Sequence, residues 1–83
     1  MPSVTLRYWA AAKDAAGTAE QRVCADTLAA ALAAAVPDSQ PLRAVLARSS
    51  FLVDGQPVGL RGHDSVLLAD GAVIEVLPPF AGG

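Results

Sequence analysis

The sequence predicts an α+β fold, with short strands set around one main helix. Three observations carry that expectation. Val4, Leu6 and Tyr8 alternate with Thr5 and Arg7, the period of a strand with one buried face. Leu28, Ala31, Leu32, Ala35 and Val36 recur at i, i+3, i+4, i+7 and i+8, the period of a helix that lays one stripe on a sheet. Val73-Ile-Glu-Val-Leu77 is a mostly apolar, β-branched run, as in a strand that lies centrally or is covered on both faces.

The elements follow in order. Residues 3–9 form the first strand. Residues 10–16 change to helix-forming composition and stop at Gly17, which suits the left-handed end of a helical turn; a single short turn is expected there. Residues 20–24 read as a second strand, antiparallel to the first across this short link. Cys24, flanked by Val23 and Ala25, is expected in the core, where free cysteines usually sit. Asp26 or Thr27 caps the main helix, and Pro37 stops it. Pro41 opens a shorter helix with Leu42, Val45 and Leu46 inward and Arg43 and Arg48 in water. Phe51-Leu-Val53 is the next strand, turned by Asp54-Gly55. A glycine-bearing loop then runs through Gly59, Gly62 and His63 to Leu67 and Leu68, and Asp70-Gly71 makes another turn before the last strand. Pro78-Pro79 ends that strand, because proline gives a ladder no donor and favours the extended polyproline conformation. Residues 78–83 are therefore expected to project as a tail from a single domain spanning 1–83.

Composition narrows the function classes. The chain has 83 residues, 53% of them hydrophobic and 17% charged, which excludes a disordered tail and fits one small domain. Six basic against eight acidic residues leave a net charge of −2, and the basic ones are scattered. No nucleic-acid partner is expected. The most apolar run, residues 28–36, falls far short of the roughly 20 residues a bilayer requires, and no secretory signal opens the chain. A cytoplasmic protein without a membrane partner is the expectation. A single cysteine and a single histidine supply no metal set.

Enzyme constellations are missing as well. Gly55, Gly59 and Gly62 lack the spacing and the Lys-Ser or Lys-Thr of a phosphate loop. His63-Asp64-Ser65 places three triad residue types side by side, yet a triad is assembled in space and adjacent side chains diverge. Asp54 and Asp70 are turn formers. No independent catalytic site is expected.

What remains is Pro78-Pro79-Phe80-Ala81-Gly82-Gly83. Glycines without a Cβ can thread a channel too narrow for other residues. Two prolines stiffen the root and lower the entropy lost on threading, and Phe80 offers an apolar anchor beside the end. The pattern suits delivery of the Gly83 carboxylate into a partner. Adenylation would make that carboxylate an electrophile, and sulfur attack would turn it into a thiocarboxylate able to donate sulfur. Trp9, Lys13 and Phe80 are the candidate partner-interface residues.

The opening Val4-Thr-Leu-Arg-Tyr-Trp-Ala10 with Lys13 and Gly17, the helix from Thr27, Phe51-Leu-Val-Asp-Gly55, Leu68-Ala-Asp-Gly71 and the Pro-Pro-Phe-Ala-Gly-Gly ending together carry a resemblance over nearly the whole length. The chain resembles the MoaD/ThiS family of ubiquitin-like sulfur carriers, most closely its molybdopterin-synthase small-subunit branch. The Pro-Pro step tilts toward that branch; Ala72, where the family often has Asp, and the loop over residues 59–63, longer than in many members, depart from the pattern. The resemblance implies a β-grasp fold with the first and last strands adjacent and parallel. It further implies that a ubiquitin-activating-type enzyme uses ATP to adenylate Gly83, that a sulfur donor system yields the thiocarboxylate, and that the tail enters the large subunit of molybdopterin synthase to sulfurate cyclic pyranopterin monophosphate. No cofactor would be bound by this chain. Alternatives remain: sulfur carriage for cysteine, thiamin thiazole or a specialised metabolite; a protein modifier joined to lysines through Gly83; or an adaptor that binds through Trp9, Phe80 and the turn at Leu60 without chemistry.

Overall fold

The computed structural model describes residues 1–35 and 40–79. Strand β1 (Ser3–Tyr8) leads into helix α1 (Ala10–Ala16), strand β2 (Glu20–Cys24) and helix α2 (Leu28–Ala35). Helix α3 (Gln40–Leu46), strand β3 (Ser50–Val53), the two-residue strand β4 (Gln56–Pro57), a 3₁₀ turn at His63–Ser65 and strand β5 (Val73–Leu77) follow. The strands form one sheet in the order β2-β1-β5-β3-β4. The first and last strands run parallel, with Leu6 beside Ile74 and Tyr8 beside Val76; β2 and β3 flank them antiparallel.

Period-two burial builds the core. Val4, Leu6 and Tyr8 from β1 and Ile74 and Val76 from β5 are buried beneath Ala12, Leu28, Ala31, Leu42 and Leu46 of the helices, in one cluster. Thr27 caps α2 by accepting the Ala30 N–H at 3.1 Å, the bond an N-cap hydroxyl is suited to make. Its stripe of Leu28, Ala31 and Ala35 is buried with Leu32 packed at the margin; Val36 and Pro37, expected to extend and stop it, lie outside the described residues.

Strand β5 lies centrally, one of the two placements its run allowed: Ile74 and Val76 are buried while Val73, Glu75 and Leu77 are half-buried on the other face. Two expectations change. The link between β1 and β2 is a seven-residue helix, two turns rather than one, ended by Gly17 at φ +75° with its N–H on the Lys13 carbonyl. Cys24 is exposed. The phase of β2 explains this, because Val23 pairs with buried Val4 while Cys24 pairs with Ser3 on the open face.

The two Asp-Gly turns do more than reverse the chain. The Asp54 carboxylate accepts the Val73 N–H at 2.9 Å while the Asp54 N–H donates to the Val73 carbonyl. The Asp70 carboxylate accepts the Ser3 N–H at 2.8 Å while the Gly71 N–H donates to the Ser3 carbonyl. Each turn thereby ties the start of a sheet strand to its neighbour. Asp54 and Gly55 both have positive φ, +50° and +81°, the signature of the tight hairpin that joins β3 to β4.

Candidate functional site

The site is built where β5 hands the chain to Pro78. Because β1 runs parallel to β5, both strands end on the same side of the molecule, and the Trp9 N–H donates to the Val76 carbonyl at 3.3 Å. Pro78 is buried and Pro79 exposed, and neither belongs to the strand. Phe80, Ala81, Gly82 and Gly83 lie outside the described residues.

Trp9 stands beside this exit, and Lys13 stands next to Trp9 on α1. They share a groove of about 440 Å³ with Arg7, Tyr8, Thr18, Ala19 and Glu20. Trp9, the N-cap residue of α1, keeps 45% of its surface in water and has the rest covered. Lys13 is exposed on α1. Arg7 is held by Glu20 at 3.0 Å across the open face. Beneath them the buried Tyr8 hydroxyl donates to Gln21 Oε1 at 2.7 Å, and burial raises the phenol above its usual value. Leu77, half-buried on the open face beside Ser50, extends the apolar surface toward Pro78. The sequence reading missed it; the alternation within Val73–Leu77 is the signal that could have placed it outward.

A larger groove of about 640 Å³ opens between α2, α3 and β3, lined by Leu32, Leu46, Phe51, Arg43 and His63. It gathers no reacting groups. The His63 ring stands edge-on to Phe51 at 5.2 Å, a packing contact, and His63-Asp64-Ser65 forms a 3₁₀ turn. Among the described residues no group of three or more His, Cys, Asp or Glu side chains could hold a metal ion, and no helix is long and apolar enough to cross a membrane. At the exit a central strand feeds a Pro-Pro step beside an exposed indole, with the exposed Lys13 on the adjoining helix.

The model of the ThiS family matches residues 6–83. The chain belongs to this family. No curated protein matches it, but solved structures share its fold. The solution structure of small archaeal modifier protein 1 from Methanosarcina acetivorans superposes with a TM-score of 0.86 at 23% identity, covering 100% of this chain and 98% of that one. The molybdopterin converting factor subunit 1 of Pyrococcus furiosus gives 0.79 at 19% identity, with 96% and 100% covered. Subunit 1 in the Helicobacter pylori 26695 complex of subunits 1 and 2 of molybdopterin-converting factor gives 0.70 at 23%, with 98% and 99% covered. The architecture is thus the ubiquitin-like β-grasp, with its parallel first and last strands. As a ThiS-family member the protein is a ubiquitin-like sulfur carrier or modifier.

Proposed function

We propose that this ThiS-family protein carries sulfur for molybdopterin synthesis, with the Gly83 carboxylate as its working group. An adenylating enzyme joins that carboxylate to the α-phosphorus of ATP and releases pyrophosphate. Sulfide (HS⁻) released by a donor system then attacks the acyl carbon, AMP leaves with the electron pair of the broken acyl–oxygen bond, and loss of the proton leaves a thiocarboxylate. Inside a large synthase subunit this sulfur passes to cyclic pyranopterin monophosphate, and water restores the carboxylate. ATP belongs to the activating enzyme, and this chain supplies no cofactor. The observation that carries the reading is the Pro-Pro-Phe-Ala-Gly-Gly segment directly after central strand β5; the likeness to a molybdopterin converting factor subunit 1 found with its subunit 2 supports a large-subunit partner.

Trp9, Lys13 and Phe80 form the partner contact in this proposal, with Leu77 added. The Trp9 indole, exposed beside the tail root, is the kind of aromatic anchor that dominates interface energies. Pro78, Pro79, Ala81 and Gly82 thread the tail. The test is intact mass spectrometry of the protein and of Cys24→Ala after incubation with an adenylating enzyme, ATP and a sulfur donor. Exchange of one oxygen for sulfur at Gly83 in both proteins is the expected result; sulfur held only through Cys24, or an unchanged Gly83, refutes the carrier.

A second reading rests on the likeness to small archaeal modifier protein 1. In it the same activated carboxylate is attacked by a lysine amine of another protein, forming an isopeptide bond as AMP leaves. Gly83-linked lysine adducts in cell lysate under activating conditions would favour this reading over sulfur transfer.

A further inference from the structure

The two edges of the sheet are not equivalent. Strand β4 is two residues long and ends in Pro57, which has no N–H, so that edge offers little to another strand. Strand β2 has five residues and no proline. Its outward groups can be assigned from the bonds that flank its pairing with β1. The Tyr8 N–H donates to the Ala19 carbonyl at 2.8 Å and the Ala25 N–H to the Pro2 carbonyl at 2.9 Å. Antiparallel bonding alternates, so with Val4 opposite Val23 and Leu6 opposite Gln21, the odd-numbered residues of β2 face β1. The N–H and C=O groups of Glu20, Arg22 and Cys24 face away from it. Among the described residues no strand pairs with that side; the Thr18 hydroxyl donates to the Glu20 carbonyl, which keeps a second lone pair.

We propose that β2 pairs with β2 of a second copy, antiparallel about a two-fold axis, with Glu20 of each copy opposite Arg22 of the other. A two-fold pairing must set outward-facing residues against one another, and that leaves few registers for Arg22. Placing it opposite its own mate stacks two guanidinium groups. Placing it opposite Cys24 sets Glu20 against Asp26. Placing it opposite Asp26 joins opposite charges too, but the Asp26 carbonyl already accepts the Leu68 N–H at 2.9 Å and Thr27 bridges Leu67, so the chain at 66–68 holds the edge there. Within β2 itself the Glu20 to Arg22 register alone joins opposite charges, and symmetry makes it do so twice; like charges directly opposite destabilise a sheet, and unlike charges support it. The side chains are ready for it. Arg22 is exposed with no ion pair among the described residues, and Glu20 uses one oxygen, Oε2, on Arg7 Nε, leaving Oε1 for a second guanidinium. The two sheets then form one continuous sheet. Strand β5 lies beyond β1 from the interface, and the two-fold sends the two tail roots to opposite ends, so the dimer leaves both exits open.

The test mixes two variants. In Arg22→Glu this register faces Glu20 with Glu, and in Glu20→Arg it faces Arg with Arg22, so each variant alone should dissociate about tenfold more readily than the natural chain. Mixed at equal concentration, the two present full complementarity and should associate at least as well as the natural chain. Sedimentation equilibrium from micromolar to millimolar concentration at low and high salt reads this, and far-ultraviolet circular dichroism with urea unfolding checks that each variant is folded; Arg22→Glu leaves the Arg7–Glu20 pair in place. Backbone amides of Arg22 and Cys24 should gain exchange protection with concentration. A natural chain that stays monomeric at millimolar concentration and low salt overturns the proposal. So does association unchanged in both single variants, or a mixture that associates no better than they do.

Discussion

Replacing Ile74 with alanine tests the face assignment of the central strand, on which the position of the tail depends. Ile74 is fully buried, between Leu6 on β1 and Val53 on β3. The substitution removes three carbons at about 0.8 kcal/mol each, or about 2.4 kcal/mol. The space left among neighbours that relax only partly raises this to about 3–4 kcal/mol. A chain of this length has about 4–12 kcal/mol in total, so the variant keeps its fold only narrowly. With a urea dependence of about 1 kcal/mol per molar, the unfolding midpoint should fall by about 3–4 M, and the melting temperature by about 12–32 °C. Two controls sharpen the result. Val73→Ala, next in sequence but half-buried on the opposite face, should lose about 1 kcal/mol or less. Leu60→Ala, at a residue 105% exposed, should stay within about 0.5 kcal/mol. Equal losses for Ile74→Ala and Val73→Ala would refute the reasoning, because a one-residue slip exchanges the two faces.

Other outcomes follow from single contacts. Asp70→Ala deletes the acceptor for the Ser3 N–H and should cost about 1 kcal/mol, lowering the melting temperature by about 4–8 °C, with Asp70→Asn recovering part of it in the same thermal scan. Burial raises the Tyr8 phenol above about 10, so the folded state holds this proton more tightly than the unfolded chain. Its contribution is intact below pH about 10 and is lost as pH rises through the folded value; urea midpoints measured across alkaline pH should flatten in Tyr8→Phe, which also loses the bond to Gln21. Cys24, being exposed, should react with a maleimide in the folded protein, and Cys24→Ala should change stability by less than about 0.5 kcal/mol. One residue added after Gly83 should abolish sulfur loading, read by intact mass, and leave the melting temperature unchanged.

Most of the fold was legible because local period and tertiary burial agree in it. Val4, Leu6 and Tyr8, the helical stripe from Leu28, and the Asp-Gly turns each point inward or reverse the chain as their spacing requires. Cys24 was misread because residue type stood in for phase: a five-residue strand with one apolar neighbour on either side does not reveal its inward face until it is paired with β1. The partial cover of β5 was hidden for a related reason. A β-branched run looks the same whether one face or two are packed, and only the absence of a helix over Glu75 and Leu77 decides it. The reach of Asp54 to Val73 and of Asp70 to Ser3 joins residues far apart in sequence, and no local pattern announces such a bond. Of the site, the tail and the Trp9 and Lys13 pair were visible as unexplained residues, whereas Leu77 became visible only as a neighbour of the exit.

The division of labour in this molecule follows from where its polar groups are spent. No buried side-chain nitrogen or oxygen among the described residues lacks a partner, and no buried residue is charged. The Tyr8 phenol, packed against Gln21 beneath the surface, is raised above its usual value by burial. Strand β5 is anchored on both sides, by β1 in parallel and β3 antiparallel, and the Asp54 carboxylate fixes its first residue. In the proposed function a carboxyl group carried beyond such a strand starts from an anchored origin and a two-proline root, so the ordering cost on docking falls on the few residues after it.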